Sequence, residues 1–109
     1  MYVLYGGDFT RAPLVQWVLE EGRLPYYEFR RIDILKDEHR TPEFLAINPA
    51  GLVPVLITPE GETLCEVAAL MVYLADRHRL TELAPAVTDP RRGLFLSSVF
   101  WIASDIQAR

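Results

Sequence analysis

The sequence predicts an α/β domain of order βαβ, short α, ββ, α, followed by a further helix that starts an all-α segment. Three observations carry this reading. Strand-like and helical apolar patterns alternate over the first third of the chain, a proline- and glycine-bearing turn joins two short β-rich runs in the middle, and an apolar stripe at helical spacing follows them.

The first strand is Tyr2 to Tyr5, a continuously apolar run stopped by Gly6-Gly7-Asp8. A helix follows, with Thr10 as its expected N-cap and Pro13 in the first turn, where a missing N–H costs nothing. Leu14, Val15, Val18 and Leu19 recur at helical spacing, and Gly22 is the expected stop. The second strand is expected over Tyr26 to Ile34; its alternation slips at Arg30-Arg31, which allows a bulge or an end there. A strand-helix-strand unit needs a crossover, so the two strands should be parallel with a right-handed connection.

After the charged stretch Lys36 to Arg40, Thr41-Pro42 opens a short helix that closes at Asn48-Pro49. Val53 to Ile57 and Glu62 to Cys65 flank Thr58-Pro59-Glu60-Gly61, so an antiparallel hairpin is expected. Glu66 to about His78 is a helix with Val67, Leu70, Met71 and Leu74 on one stripe. Residues 79–90, with Pro85 and Pro90, have the composition of an interdomain linker. The last segment, 91–109, is helical and apolar on two faces, Phe95, Val99, Ile102 and Ile106 on one and Leu94, Trp101 and Ala108 on another. Such a helix must be buried between partners, so a second domain is expected to cover it.

Composition narrows the function. The 109 residues are 50% hydrophobic and 24% charged, a globular balance, and the net charge of −4 disfavours phosphate backbones and anionic membranes. No run approaches the length needed to span a bilayer, and the apolar start is too short for a signal-peptide core. The single cysteine, Cys65, excludes an internal disulfide and dithiol redox chemistry, and no zinc spacing is present. A reducing cytoplasm is the expected location, with no metal, nucleic acid or membrane as partner.

Several residues have two readings each. Val53-Pro54 is either a trans proline opening an edge strand, which the rate of about 5–6% for cis X–Pro bonds favours, or a cis bond that turns the Val53 backbone outward to pair with an extended peptide. Thr10 is a cap, or a hydroxyl that donates to a ligand thiolate and lowers its pKa. Glu66 is a favourable acid at a helix start, or the partner of a ligand ammonium. His39 is a solvated histidine, or a donor to a second carboxylate. Tyr5 is core, or a phenol reaching a ligand sulfur. Cys65, at the end of an apolar strand, reads as a small buried residue rather than a nucleophile.

Along nearly the whole chain these residues resemble the cytosolic glutathione S-transferases in their bacterial forms. The matching stretches are Leu4-Tyr5-Gly6, Leu24-Pro25-Tyr26, the long run from Pro42 to Leu56 that contains Asn48-Pro49-Ala50-Gly51-Leu52-Val53-Pro54, Glu66-Val67-Ala68-Ala69-Leu70, and Tyr73-Leu74-Ala75-Asp76. The final helix, through Trp101 and Asp105, looks like the first helix of that family's second domain. The resemblance implies a thioredoxin-like glutathione-binding domain over 1–78, a linker over 79–90, and the first helix of an all-α domain over 91–109. It implies that Pro54 is cis, that the Val53 backbone pairs with the cysteinyl part of glutathione, that Glu66 meets the γ-glutamyl end, and that His39 contacts the glycyl carboxylate. It places Thr10 near the serine or cysteine of bacterial classes and Tyr5 level with the tyrosine of others.

The implied activity is transfer of the glutathione thiolate to a small electrophile by a homodimer, with glutathione as co-substrate. Two departures favour an alternative, a catalytically weak or inactive glutathione-binding or regulatory protein. Val67 stands where the family usually has a serine that donates to the γ-glutamyl carboxylate, and Gly7 falls in the stretch where a catalytic side chain is expected.

Overall fold

The computed structural model describes residues 1–7, 9–24 and 27–103. Tyr26, expected to open the second strand, and residues 104–109 of the expected final helix lie outside the described residues. Four strands, β1 (Tyr2–Gly6), β2 (Tyr27–Arg31), β3 (Val55–Ile57) and β4 (Thr63–Cys65), form one sheet of order β2-β1-β3-β4. β1 and β2 run parallel in the register Tyr2 with Tyr27 and Leu4 with Phe29; β3 pairs antiparallel with both β1 and β4. The parallel pair encloses helix α1 (Ala12–Glu21), and the short α2 (Pro42–Ile47) and α3 (Val67–Arg77) follow, with α4 (Arg92–Trp101) last.

The period of two along β1 divides the core. Tyr2 and Leu4 face the layer made by α1 and α3, where Val15, Leu19, Leu56, Leu70 and Leu74 are buried. Val3 and Tyr5 face a second cluster with Phe44 of α2 and Val55. Cover on both faces is why this strand is continuously apolar rather than alternating. Each fully buried leucine contributes about 1.5–3 kcal/mol relative to exposure.

Boundaries differ from expectation where local chemistry intervenes. β2 stops at Arg31, not Ile34; the Ile32 N–H donates to the Gly6 carbonyl at 2.7 Å, and the Asp33 carboxylate then accepts from the Leu35 N–H at 3.0 Å, capping a 3-10 turn over Ile34–Lys36. A second 3-10 turn, Glu38–Arg40, occupies the charged stretch and carries His39. Thr41 caps α2 as expected, its hydroxyl oxygen accepting from the Phe44 N–H at 3.3 Å. In the β3–β4 turn the Gly61 N–H donates to the Thr58 carbonyl at 2.8 Å, and Gly61 takes φ +90° with nothing crowding it, so glycine is there for its backbone freedom.

Residues 79–90 are tied down. Leu80 sits where a Cβ on Gly22 would be, Ala84 is buried, and Arg92 donates to both Asp76 carboxylate oxygens at 2.9 and 3.0 Å and to the Pro85 carbonyl at 3.0 Å. α4 buries none of its residues among the described chain, and Leu94 and Trp101 are 75% and 56% exposed.

Candidate functional site

A cleft of about 410 Å3 opens where four connections meet: the loop between β1 and α1, the 3-10 turns after β2, the segment entering β3, and the junction of β4 with α3. Each connection contributes residues singled out in the sequence. Thr10 comes from the first, His39 from the second, Val53 and Pro54 from the third, and Glu66 and Val67 from the fourth. These six positions, spread from Thr10 to Val67 in the sequence, converge on one concavity.

The third wall is built by α2 and its exit. Asn48, buried at the end of α2, donates from its side-chain amide to the Leu52 carbonyl at 2.9 Å and accepts from the Ala50 N–H at 3.2 Å, which shapes the turn that leads to Val53. The Val53–Pro54 peptide bond is cis. β3 begins only at Val55, so the N–H and C=O of Val53 lie outside the sheet ladder.

At the fourth wall Glu66 takes φ +75°, ψ 110°, a backbone conformation that costs a non-glycine residue on the order of 1–3 kcal/mol and is retained where the surroundings impose it. No side chain caps this end of α3. Its first-turn N–H groups and the positive end of the helix dipole therefore stand at the cleft, a setting that favours a carboxylate. Val67 is buried there and offers a backbone N–H but no hydroxyl.

The first wall departs from the expected cap. Arg11, not Thr10, occupies the N-cap position of α1 and makes no side-chain cap. The Thr10 hydroxyl closes its own loop instead: it donates to the Gly7 carbonyl at 2.7 Å and accepts from the N–H groups of Gly7 at 3.0 Å and Ala12 at 3.2 Å. Gly7 is explained by packing, since a Cβ there would collide with the Ile32 carbonyl oxygen. It is thus a requirement of the fold rather than a lost catalytic side chain. On the second wall, the Nδ1 of His39 is buried without a hydrogen-bond partner among the described residues.

Tyr5 is not brought to the cleft. Its ring is buried edge-on against Phe44 at 5.8 Å, and its hydroxyl accepts from the Arg30 guanidinium at 2.9 Å. Conversely, Phe9, Arg11 and Cys65 line the cleft and were not predicted to; Cys65, expected to be buried, is exposed because β4 ends at the cleft. Arg11 was the one with a sequence signal, as the basic residue next to Thr10 in the loop that opens α1. Among the described residues no three His, Cys, Asp or Glu side chains gather as a metal group, and no helix is long and apolar enough to cross a membrane.

Comparison with known proteins agrees with this architecture. The chain is 34% identical over 82 residues to glutathione S-transferase 1 of Dianthus caryophyllus, covering 74% of this chain and 36% of that protein. It is 49% identical over 55 residues to maleylacetoacetate isomerase of Rhizobium meliloti, covering 50% and 25% respectively. Among solved structures, a glutathione transferase homolog from Sulfitobacter with bound glutathione superposes with a TM-score of 0.88 at 34% identity, over 99% of this chain and 51% of that one. A possible glutathione S-transferase from Rhodopseudomonas palustris gives 0.83 at 35% identity, over 98% and 50%. The chain thus spans about half the length of these solved relatives. Its sheet and helices are the thioredoxin-like fold of such transferases, and residues 14–77, more than half the chain, match the family described as the glutathione S-transferase N-terminal domain. The chain belongs to the glutathione S-transferase N-terminal domain family.

Proposed function

We propose that this chain is the glutathione-binding part of a glutathione S-transferase, over about residues 1–78, and that α4 begins a helical second domain. The observation that carries the reading is the convergence of Thr10, His39, Val53, Pro54, Glu66 and Val67 on a single cleft. The relative with bound glutathione supports the choice of ligand. In this reading the Val53 backbone pairs with the cysteinyl part of glutathione, Glu66 meets the γ-glutamyl ammonium, the open N-terminus of α3 receives the γ-glutamyl carboxylate, and His39 meets the glycyl carboxylate. The bound thiol gives its proton to solvent, and the thiolate attacks an electrophilic carbon. A C–S bond forms as the leaving group departs with its electron pair. The enzyme is expected to be cytoplasmic and homodimeric.

A second reading rests on two observations. Val67 has no hydroxyl for the carboxylate, and the hydroxyl proton of Thr10 is already committed to Gly7. Both fit a binding or regulatory protein that holds glutathione without turning it over. The discriminating experiment is conjugation of glutathione to an aryl halide by the full-length protein, alongside calorimetric titration with glutathione. Binding with turnover supports the transferase, binding without turnover the second reading, and no binding refutes both.

A further inference from the structure

The two hydroxyls nearest in sequence to the expected catalytic position are not free in the cleft. Thr10 donates to Gly7 at 2.7 Å, and turning its O–H toward a ligand would break a bond worth about 0.5–1.5 kcal/mol. Tyr5 lies against Phe44 and does not line the cleft. Among the described residues, Arg11 is the only arginine or lysine that lines the cleft. One of its N–H groups reaches the Ala103 carbonyl at 3.4 Å, past the end of α4, and a guanidinium carries five donors. We propose that the Arg11 guanidinium is the group that holds the thiol of bound glutathione as its thiolate. This rests on the glutathione reading above.

The physical case is charge and persistence. Glu66 also lines the cleft, where a carboxylate works against a second anion, and a guanidinium, which stays charged across the working pH range, offsets it. A cation within about 4–6 Å of an ionisable group lowers an acid's pKa by roughly 1–3 units, enough to bring a thiol from about 8.5 into the neutral range. The step is an ionisation only: the S–H bond breaks, its electron pair stays on sulfur, and the proton leaves to solvent. Among the described residues the other titratable groups lining the cleft are His39, Cys65 and Glu66, so the sulfur must be observed directly.

The test is ultraviolet titration of the thiolate of bound glutathione against pH, with the full chain in a Cys65→Ser background that removes the second thiol. Arg11→Gln removes the charge and leaves an uncharged polar side chain; Arg11→Lys restores the charge. Arg11→Gln is expected to raise the midpoint of the bound thiol by about one pH unit or more, with Arg11→Lys recovering at least half of that shift. kcat/KM should fall about ten-fold at pH 6.5 in Arg11→Gln and converge with wild type at alkaline pH. An unmoved thiol midpoint, with activity lost equally at every pH, overturns the proposal and leaves Arg11 as a support for α4. Absence of glutathione binding to the wild-type chain overturns the functional reading and the proposal with it, whereas binding with an unshifted thiol overturns the proposal alone.

Discussion

The two ends of α3 are treated in opposite ways. At its C-terminal end the side chains find partners within the protein. Arg77 donates to both carboxylate oxygens of Glu60 and to the Tyr73 hydroxyl, each at 2.6 Å, and its guanidinium lies 5.7 Å from the Tyr2 ring centre. The Tyr2 hydroxyl in turn meets His78 Nε2 at 2.6 Å, with the rings edge-on. At the N-terminal end Glu66 is strained, no side chain caps the helix, and Val67 adds no donor. A helix can leave one end unsatisfied when the rest of it is anchored, and the end left open is the one at the cleft. Stability is concentrated where partners are complete, and binding capacity where they are missing.

The largest test removes what both ends depend on. Leu70 is fully buried between them, and Leu70→Ala should cost about 2–5 kcal/mol in chemical denaturation and lower Tm by at least about 10 °C. A loss below about 1 kcal/mol would mean that α3 is not anchored through its middle.

The next test closes the open end. A serine hydroxyl bonding a carboxylate contributes typically about 1.5–3 kcal/mol before desolvation, so Val67→Ser should tighten glutathione binding by roughly ten-fold in calorimetry. Unchanged or weaker affinity would show that Val67 packs against a different ligand.

A smaller effect is expected from pH at the closed end. Burial, and then the Arg77 charge, hold His78 below the ordinary histidine value, while burial pushes Tyr2 up to about 12, so the hydrogen bond between them joins an un-ionised phenol and an imidazole that resists protonation. The unfolded chain takes up the His78 proton more readily than the folded one. Stability from this group is therefore fully present above about pH 6.5 and is lost as pH falls through the lowered folded value. Denaturation midpoints measured from pH 8 down to pH 5 should decline, and His78→Gln should flatten that decline.

The smallest change belongs to the exposed ion pair. Hydrogen bonding from Arg77 holds Glu60 down at about 2, so its contribution is present above the usual carboxylate range and is lost as pH falls toward 2. Because the pair is solvent-exposed, Glu60→Gln should lower Tm by the least of the four, and about 1 M salt should erase the difference.

The local signals of the chain determined most of the fold. The apolar run of β1, the Thr41-Pro42 opening of α2, the Pro59–Gly61 turn and the stripe of α3 each follow from propensities and spacings that act over a few residues, and each lies where the sequence placed it. The end of β2 was visible only as a slip in alternation at Arg30-Arg31, because the Asp33 side chain that caps the following turn competes locally with the strand. The site was legible as a set of residues but not as a division of labour. Only the tertiary structure decided that Gly7 is glycine to pass the Ile32 carbonyl, that the Thr10 proton belongs to Gly7, and that Tyr5 faces Phe44. It alone brought Arg11 and Cys65 to the cleft. Those outcomes depend on which atoms of distant segments come within hydrogen-bond or van der Waals reach, and that distance is set by the packing of the whole sheet and its helices rather than by any stretch of sequence.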